Sequence, residues 1–291
     1  MQLLEFLQSS TIALNTTVTI TGMMVGSFLN VVIYRLPLMM QKGWRQECCE
    51  FLEIDNEKEQ DDEAFNLVTP RSRCPNCQHA IKAWENIPVI SYLVLRGRCS
   101  SCQQSISLRY PSIEALTGLL SLVVVLHFSY SPQLIPALLL TWALVALSFI
   151  DFDHQLLPDD ITLPFLWLGL LCNLFGLFTD IYSSVIGAIA GYMILWLIYI
   201  TFKILTGKEG MGHGDFKLLS LLGAWMGWEV LPLTIILSSL CGALVGISLI
   251  MFTSHDRRTA IPFGPYLSMA GWIALIWGAE IMAGYDKWLM P

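Results

Sequence analysis

Charge is what this sequence has least of. Only 13% of its 291 residues are Asp, Glu, Lys or Arg, about half the ~25% of a soluble globular domain. Hydrophobic residues make up 55%, so the deficit places the chain among membrane proteins before any motif is considered. A basic excess is lacking too. The formal net charge is -7, and no basic stripe with interleaved aromatics occurs, which argues against a nucleic-acid partner. The N-terminus has neither a basic n-region nor a small-residue cleavage site, Glu5 being its only early charge. The first apolar run is therefore expected to stay in the mature protein. Two catalytic signatures are absent as well: the His-Glu-x-x-His helix of zinc proteases and the GxxxxGK[ST] phosphate loop.

What the sequence does contain is a series of apolar segments near the ~20 residues that cross a bilayer. About eight are expected, over roughly 12–34, 112–129, 133–150, 161–179, 183–202, 215–231, 233–253 and 264–283. The first is diluted by Thr11, Asn15, Thr16, Thr17, Thr19 and Thr21, and its Gly22, Gly26 and Ser27 point to close helix packing. The fold class that follows is an all-α polytopic membrane protein. Its expected regions are a first transmembrane helix within 1–34, a polar segment 35–111, and a seven-helix transmembrane core over 112–291. The polar segment is too poor in apolar periodicity to build a large core.

Basic residues stay on the cytoplasmic side of a membrane and so report orientation. With eight spans, Arg35, Lys42, Arg45, Lys58, Arg71, Arg73, Lys82, Arg96, Arg98 and Arg109 share one long loop. Lys203, Lys208, Lys217, Arg257 and Arg258 fall on the same face, leaving only Lys287 for the other. Both termini are then expected on the periplasmic side, and the polar segment in the cytoplasm.

Two aspartates stand at span ends, Asp151 after the third and Asp215 before the sixth, the latter within Gly212-His213-Gly214-Asp215. Ionisable residues there are costly to place and suggest function. Two crossings separate them, so the chain returns to its starting face and both carboxylates lie at the cytoplasmic end. Such a pair can share a proton and act as acid and base on water. Asp215 also reads as a helix N-cap. Asp151 does not, since a helix C-terminus disfavours negative charge. Asp153, Asp159 and Asp160 compete in the same loop, with Asp159 or Asp160 expected to cap the fourth span after Pro158. The opposed helix ends suggest that Asp151 holds the shared proton while Asp215 activates water.

Cys74-Pro-Asn-Cys77 and Cys99-Ser-Ser-Cys102 have the spacing of a tetrahedral zinc site. Four thiolates leave no open position, so such a metal is structural. A redox CxxC pair and unmetallated thiols are the other readings. His79 is an alternative ligand that four cysteines make unnecessary. Cys48 and Cys49 lie outside the pattern, and Cys172 and Cys241 read as packing residues within spans. The acids of 46–63, from Glu47 to Glu63, read as a solvated face.

Several motifs in order carry a family resemblance. Gly26-Ser-Phe-Leu-Asn-Val-Val-Ile-Tyr-Arg-Leu-Pro37, the paired CxxC motifs, Glu85-Asn-Ile-Pro88, Gly97-Arg-Cys99, Asp151-Phe-Asp-His-Gln-Leu-Leu-Pro-Asp159 and Gly212-His-Gly-Asp215 resemble bacterial type IV prepilin leader peptidases. These are intramembrane aspartic proteases of the GxGD type. The resemblance implies that Asp151 and Asp215 are catalytic, within a peptidase core in the bacterial inner membrane. It implies type IV prepilins and type II secretion pseudopilins as substrates, cut after glycine at the end of a basic leader on the cytoplasmic side. Many members then methylate the new N-terminus with S-adenosylmethionine. No nucleotide motif locates that cofactor, and Glu85 and Asn86 are candidates by association only; they read equally as residues that cap or orient the cysteine loop. The rival classes are a proton-coupled transporter using the aspartates as a relay, and a non-enzymatic adaptor docking partners through the cysteine loop. Transporter sites sit near the membrane midplane, often within repeats.

Overall fold

The computed structural model describes residues 2–54, 65–208, 210–252 and 262–289. Among them are ten α-helices and no strand: α1 (Gln2–Ser9), α2 (Thr11–Phe51), α3 (Ile90–Val94), α4 (Arg109–Phe128), α5 (Leu134–His154), α6 (Asp159–Leu174), α7 (Ile181–Thr206), α8 (His213–Met226), α9 (Leu231–Phe252) and α10 (Gly264–Leu289). The chain divides into two compact units, residues 1–130 and 131–291. The first unit includes α4, which packs along α2.

In the first unit α2 is 41 residues long, about 61 Å at 1.5 Å per residue. That is twice the ~30 Å of a hydrocarbon core. The helix starts on Ser10, whose hydroxyl accepts the Ala13 N–H, and runs on through Pro37 well past the expected end at 34. Its threonines are no obstacle: Thr16 and Thr19 donate to the carbonyls of Ile12 and Asn15, which hides their hydroxyls along the helix. The α2–α4 contact runs through small residues. A Cβ built on Gly22 would lie 2.3 Å from Ser121 Oγ, and one on Gly26 would lie 2.9 Å from Glu114 Cα, so only glycine permits this approach.

Two buried charges tether the polar segment to this pair. Arg35 of α2 donates to the Asn66 and Pro70 carbonyls at 2.8 and 2.7 Å, with its guanidinium over the Phe65 ring. Glu114 of α4 accepts the Val89 N–H at 2.8 Å. Val89 has φ 59°, rare for a β-branched residue, and the carboxylate holds its amide in that turn.

The second unit is organised around α8. Phe216, Leu218, Leu219, Leu221, Leu222, Ala224 and Trp225 are all 0% exposed. Seated against α7, α6 and α10, this helix is only 14 residues long, about 21 Å. With α6, at 16 residues, it falls short of a bilayer core, whereas six helices (α2, α4, α5, α7, α9 and α10) contain stretches long and apolar enough to cross one. All eight expected segments are therefore helical. A short helix is tolerated at membrane depth when protein, not lipid, surrounds its ends.

Backbone contact sets the α7–α8 crossing: a Cβ on Gly223 would lie 2.1 Å from the Gly187 carbonyl oxygen. On the other flank, Trp225 Nε1 donates to the Phe165 carbonyl of α6 at 2.7 Å. The far end of α8 is closed by Asn173, 1% exposed. Its amide nitrogen donates to the Ala224 and Trp225 carbonyls at 2.9 Å and to Ser184 Oγ at 3.2 Å, while its oxygen accepts the Phe178 and Thr179 N–H groups. The last carbonyls of a helix have no partner within it, and Asn173 supplies one from outside. Asn173→Leu is expected to destabilise this unit by about 2–4 kcal/mol, the cost of stranding buried backbone groups, read as a lower midpoint of thermal unfolding in detergent. An unchanged midpoint would show that the network is dispensable.

Candidate functional site

Asp151 lies in the last turn of α5, which ends where Gln155 turns left-handed at φ 52°. Asp215 is the third residue of α8, after the N-cap Gly212. The two carboxylates meet at one end of the second unit, close enough for their charges to interact, and their residues are only 6% and 7% exposed. Asp215 is not the N-cap of α8. It sits one turn in and reaches back to the Gly212 N–H, half of a capping box. Nor do Asp159 or Asp160 cap α6: Pro158 is the N-cap, and Asp159 receives Lys217 Nζ on both oxygens at 2.7 Å, joining the first turns of α6 and α8. Asp153 is exposed.

The surroundings are tight. The Gly264 N–H, at the start of α10, donates to Asp151 Oδ2 at 2.9 Å. Buried Leu157 touches the positions where side chains would begin at both Gly214 and Gly264. Along the Gly212–Asp215 turn, His213 packs against Tyr199 and Phe216 at 5.2 and 5.4 Å between ring centroids, and Lys203 Nζ donates to Tyr199 Oη. The Gly264 contact changes the electrostatic picture drawn from α5 and α8 alone. Asp151 closes one helix, but its carboxylate meets the N-terminus of another, so both aspartates face a positive helix end. Helix polarity therefore does not assign the shared proton to Asp151. Two carboxylates in one desolvated site still favour a single shared proton, the arrangement needed to polarise a carbonyl and activate water together.

Sequence reasoning passed over Gly264, Leu157 and the Lys217–Asp159 pair. One signal was available: Pro262 and Pro265 bracket Gly264 at the head of the last apolar run, a pattern that fixes a helix start.

In the first unit the four cysteines form a duplicated turn. Cys74 N–H donates to the His79 carbonyl and Cys99 N–H to the Gln104 carbonyl, both at 2.9 Å. Gln78 and Gln103 both have φ 58°, and the single bridges Arg73–Ala80 and Arg98–Ser105 close equivalent loops. Arg-Cys-x-x-Cys-Gln-x-x-Ile recurs with an offset of 25 residues, from Arg73 to Ile81 and from Arg98 to Ile106; this short repeat was legible and overlooked. All four sulfurs lie within 4.8 Å of one another, with Cys74–Cys102 at 3.8 Å and Cys77–Cys99 at 4.0 Å. Ligands ~2.3 Å from a tetrahedral ion are ~3.8 Å apart, so the cluster has the dimensions to hold a metal. Backbone N–H groups of Cys77 and Asn76 lower the Cys74 pKa, and that of Gln104 lowers the Cys102 pKa. Cys77 is pushed up to about 11: the His79 N–H opposes the shift, but burial and the neighbouring sulfurs outweigh it. Thiols this crowded need a cation to ionise together.

Glu85 fastens the two turns. It accepts the Lys82 N–H at 2.8 Å, interacts with Ser100 of the second turn, and lies 3.5 Å from His79 Nε2 of the first. Those contacts, the Lys82 amide foremost, hold its carboxyl below the usual range. His79 thus supports the turn instead of replacing a cysteine. Asn86 is exposed, Cys48 and Cys49 sit on the polar end of α2, and Cys172 and Cys241 lie in α6 and α9 of the second unit. Of the acidic run, 55–63 lies outside the described residues.

Comparison with known proteins places both regions. The Bacterial Peptidase A24 N-terminal domain matches residues 20–128, and the Type IV leader peptidase family matches residues 138–247. A prepilin leader peptidase/N-methyltransferase of Stutzerimonas stutzeri is 56% identical over 281 residues, covering 97% of this chain and 96% of that protein. Proteins of the same description from Pseudomonas aeruginosa and Neisseria gonorrhoeae are 52% and 48% identical, over 98% and 93% of both chains. No solved structure gives a significant match. With buried paired aspartates, a four-cysteine cluster and relatives of this identity along nearly its whole length, the chain belongs to the type IV leader peptidase family.

Proposed function

We propose that this protein is a prepilin peptidase of the bacterial inner membrane that cleaves type IV prepilins and type II secretion pseudopilins after the glycine ending a basic leader. The observation that carries this reading is the meeting of Asp151 and Asp215, both more than nine-tenths buried, at one end of the α5–α8 bundle. One carboxyl, protonated, donates to the scissile carbonyl oxygen; the other, ionised, takes a proton from water as the water oxygen attacks the carbon. Collapse of the tetrahedral intermediate breaks the C–N bond, and the carboxyl that took the water proton delivers it to the departing amine. The leader leaves as a carboxylate and the mature pilin begins with a free amine.

The relatives' names extend the activity to N-methylation of that amine. S-adenosylmethionine supplies an electrophilic methyl group for such a transfer. No residue is assigned to holding it, because the described residues offer no glycine-rich nucleotide turn. Cys74, Cys77, Cys99 and Cys102 are read as ligands of a structural zinc, supported by their tetrahedral spacing and closed coordination. The segregation of Lys and Arg supports a cytoplasmic cysteine segment and dyad with both termini periplasmic; Arg257 and Arg258, which contribute to it, lie outside the described residues. The transporter reading has no support from the relatives named above, which are peptidases by description.

Asp151→Ala and Asp215→Ala should each reduce cleavage of a detergent-solubilised prepilin by at least about 1,000-fold, measured by gel shift and mass spectrometry of the mature chain. Substantial cleavage by either variant would remove that residue from the dyad. Mass spectrometry with S-adenosylmethionine present should show one added methyl group on the mature N-terminus. Cys74→Ser or Cys102→Ser should release the metal from an otherwise one-zinc protein and lower its folded yield; full zinc content by elemental analysis would refute the ligand set.

A further inference from the structure

We infer that Gly264 is a positioning residue of the peptidase site, its backbone N–H fixing Asp151 in the orientation that hydrolysis requires. The inference rests on Asp151 and Asp215 being the dyad. It concerns a residue beyond the stretch 138–247 that the family match covers.

The first turn of any α-helix leaves its amides without helical partners. In α10 those amides can be accounted for one by one. Pro265 has none, and the N–H groups of Tyr266 and Leu267 both donate to the Phe263 carbonyl, at 3.1 Å. Gly264 alone is left, and its N–H donates to Asp151 Oδ2 in a buried contact of 2.9 Å. The turn therefore presents one available donor, aimed at one carboxylate oxygen. With Oδ2 occupied, Asp151 has Oδ1 to offer to water or substrate, and its carboxylate cannot rotate freely between the two.

The glycine is dictated by the same contact. A Cβ at 264 would lie 2.6 Å from Asp151 Oδ2 and 3.1 Å from Asp151 Cγ, with Leu157 Cδ2 at 3.3 Å on the other flank. Any other residue displaces the carboxylate. The helix is held in register lower down as well, where Trp272 Nε1 donates to Thr141 Oγ1 of α5 at 3.1 Å. Two hydrogen bonds, Gly264 to Asp151 and Trp272 to Thr141, thus pin α10 against α5 along its length. The upper one ends on a reacting group. A purely structural cap would affect the stability of α10; a positioning contact affects turnover, because displacement of a reacting group by about 1 Å costs about 100-fold in rate.

The test compares wild type, Gly264→Ala and Gly278→Ala in the full-length detergent-solubilised enzyme with a prepilin substrate. Gly278 is on the same helix, and the nearest atom to a Cβ there is 3.9 Å away. Gly264→Ala is expected to lower kcat by about 100-fold with KM changed less than about threefold, while Gly278→Ala keeps wild-type turnover. Near-normal kcat in Gly264→Ala overturns the inference and leaves the dyad intact; activity in Asp151→Ala would instead overturn the dyad reading beneath it. A second measurement does not depend on Gly264→Ala folding. The chain has two Phe–Gly peptide bonds, Phe175–Gly176 and Phe263–Gly264, so labelling with carbonyl-13C phenylalanine and 15N glycine reports two amides by NMR. The Gly264 amide signal is expected to move with pH in wild type and to stop doing so in Asp151→Ala. Two amide signals insensitive both to pH and to Asp151→Ala would show that the contact does not form.

Discussion

Holding two carboxylates side by side, out of water, is the constraint around which residues 131–291 are arranged. An ion moved into such surroundings loses several kcal/mol of solvation, and a second like charge beside it adds repulsion. Neither Asp151 nor Asp215 could be kept there by apolar packing alone. Each is met by a backbone amide, Gly264 for the first and Gly212 for the second, and those amides belong to the starts of α10 and α8. Placing those two helix starts against the end of α5 then fixes most of what else is seen. The Lys217–Asp159 pair ties α8 to α6, Leu157 fills the space beside Gly214 and Gly264, and the glycine crossing of α7 and α8 brings the central helix in close.

The unit of residues 1–130 answers a different difficulty. Its polar segment has too little apolar surface to fold on a core, so order is imposed from two directions. The duplicated cysteine turns gather four sulfurs into a volume that could hold one ion, and metal binding at such a site would add to folding energy. Glu85 links the turns, and Arg35 and Glu114 attach the segment to α2 and α4 through backbone groups. Arg35 reads in the sequence as one more orienting charge. In the fold it is only 8% exposed, and its fork of donors satisfies two loop carbonyls that water would otherwise have to reach.

How much of this was legible in the sequence depended on whether the controlling interaction was local. Apolar runs mark their own helices, so all eight expected segments are helical. Cysteine spacing marks a cluster because each CxxC turn is made by a few adjacent residues. Span parity brought Asp151 and Asp215 to one end without any knowledge of packing. Hydropathy could not show that α6 and α8 stop short of a bilayer's thickness, since burial in protein makes an apolar segment look like exposure to lipid. The continuation of α2 beyond residue 34 was hidden for the opposite reason: its later turns are polar but still helix-forming. Asp215 at the head of an apolar run looked like a cap, yet Gly212 takes that place, and the first turn of α8 turns the carboxylate back toward Asp151. Gly264 was the least visible, because it acts through a backbone amide that every non-proline residue possesses and across 113 positions of sequence.

Why the pair sits at helix ends, and not halfway down the bundle, follows from the same chemistry. In the middle of an α-helix every N–H is committed to a carbonyl four residues away, so a buried carboxylate there has no backbone donor to turn to. At a helix start the amides are free and the dipole is favourable. A carboxylate pair held where two helices start and one stops therefore gains fixed donors in one place. That arrangement demands close approach of backbone to carboxylate at Gly264, where a Cβ would lie 2.6 Å from Asp151 Oδ2, and close approach to Leu157 at Gly214, where a Cβ would lie 2.8 Å from Leu157 Cβ.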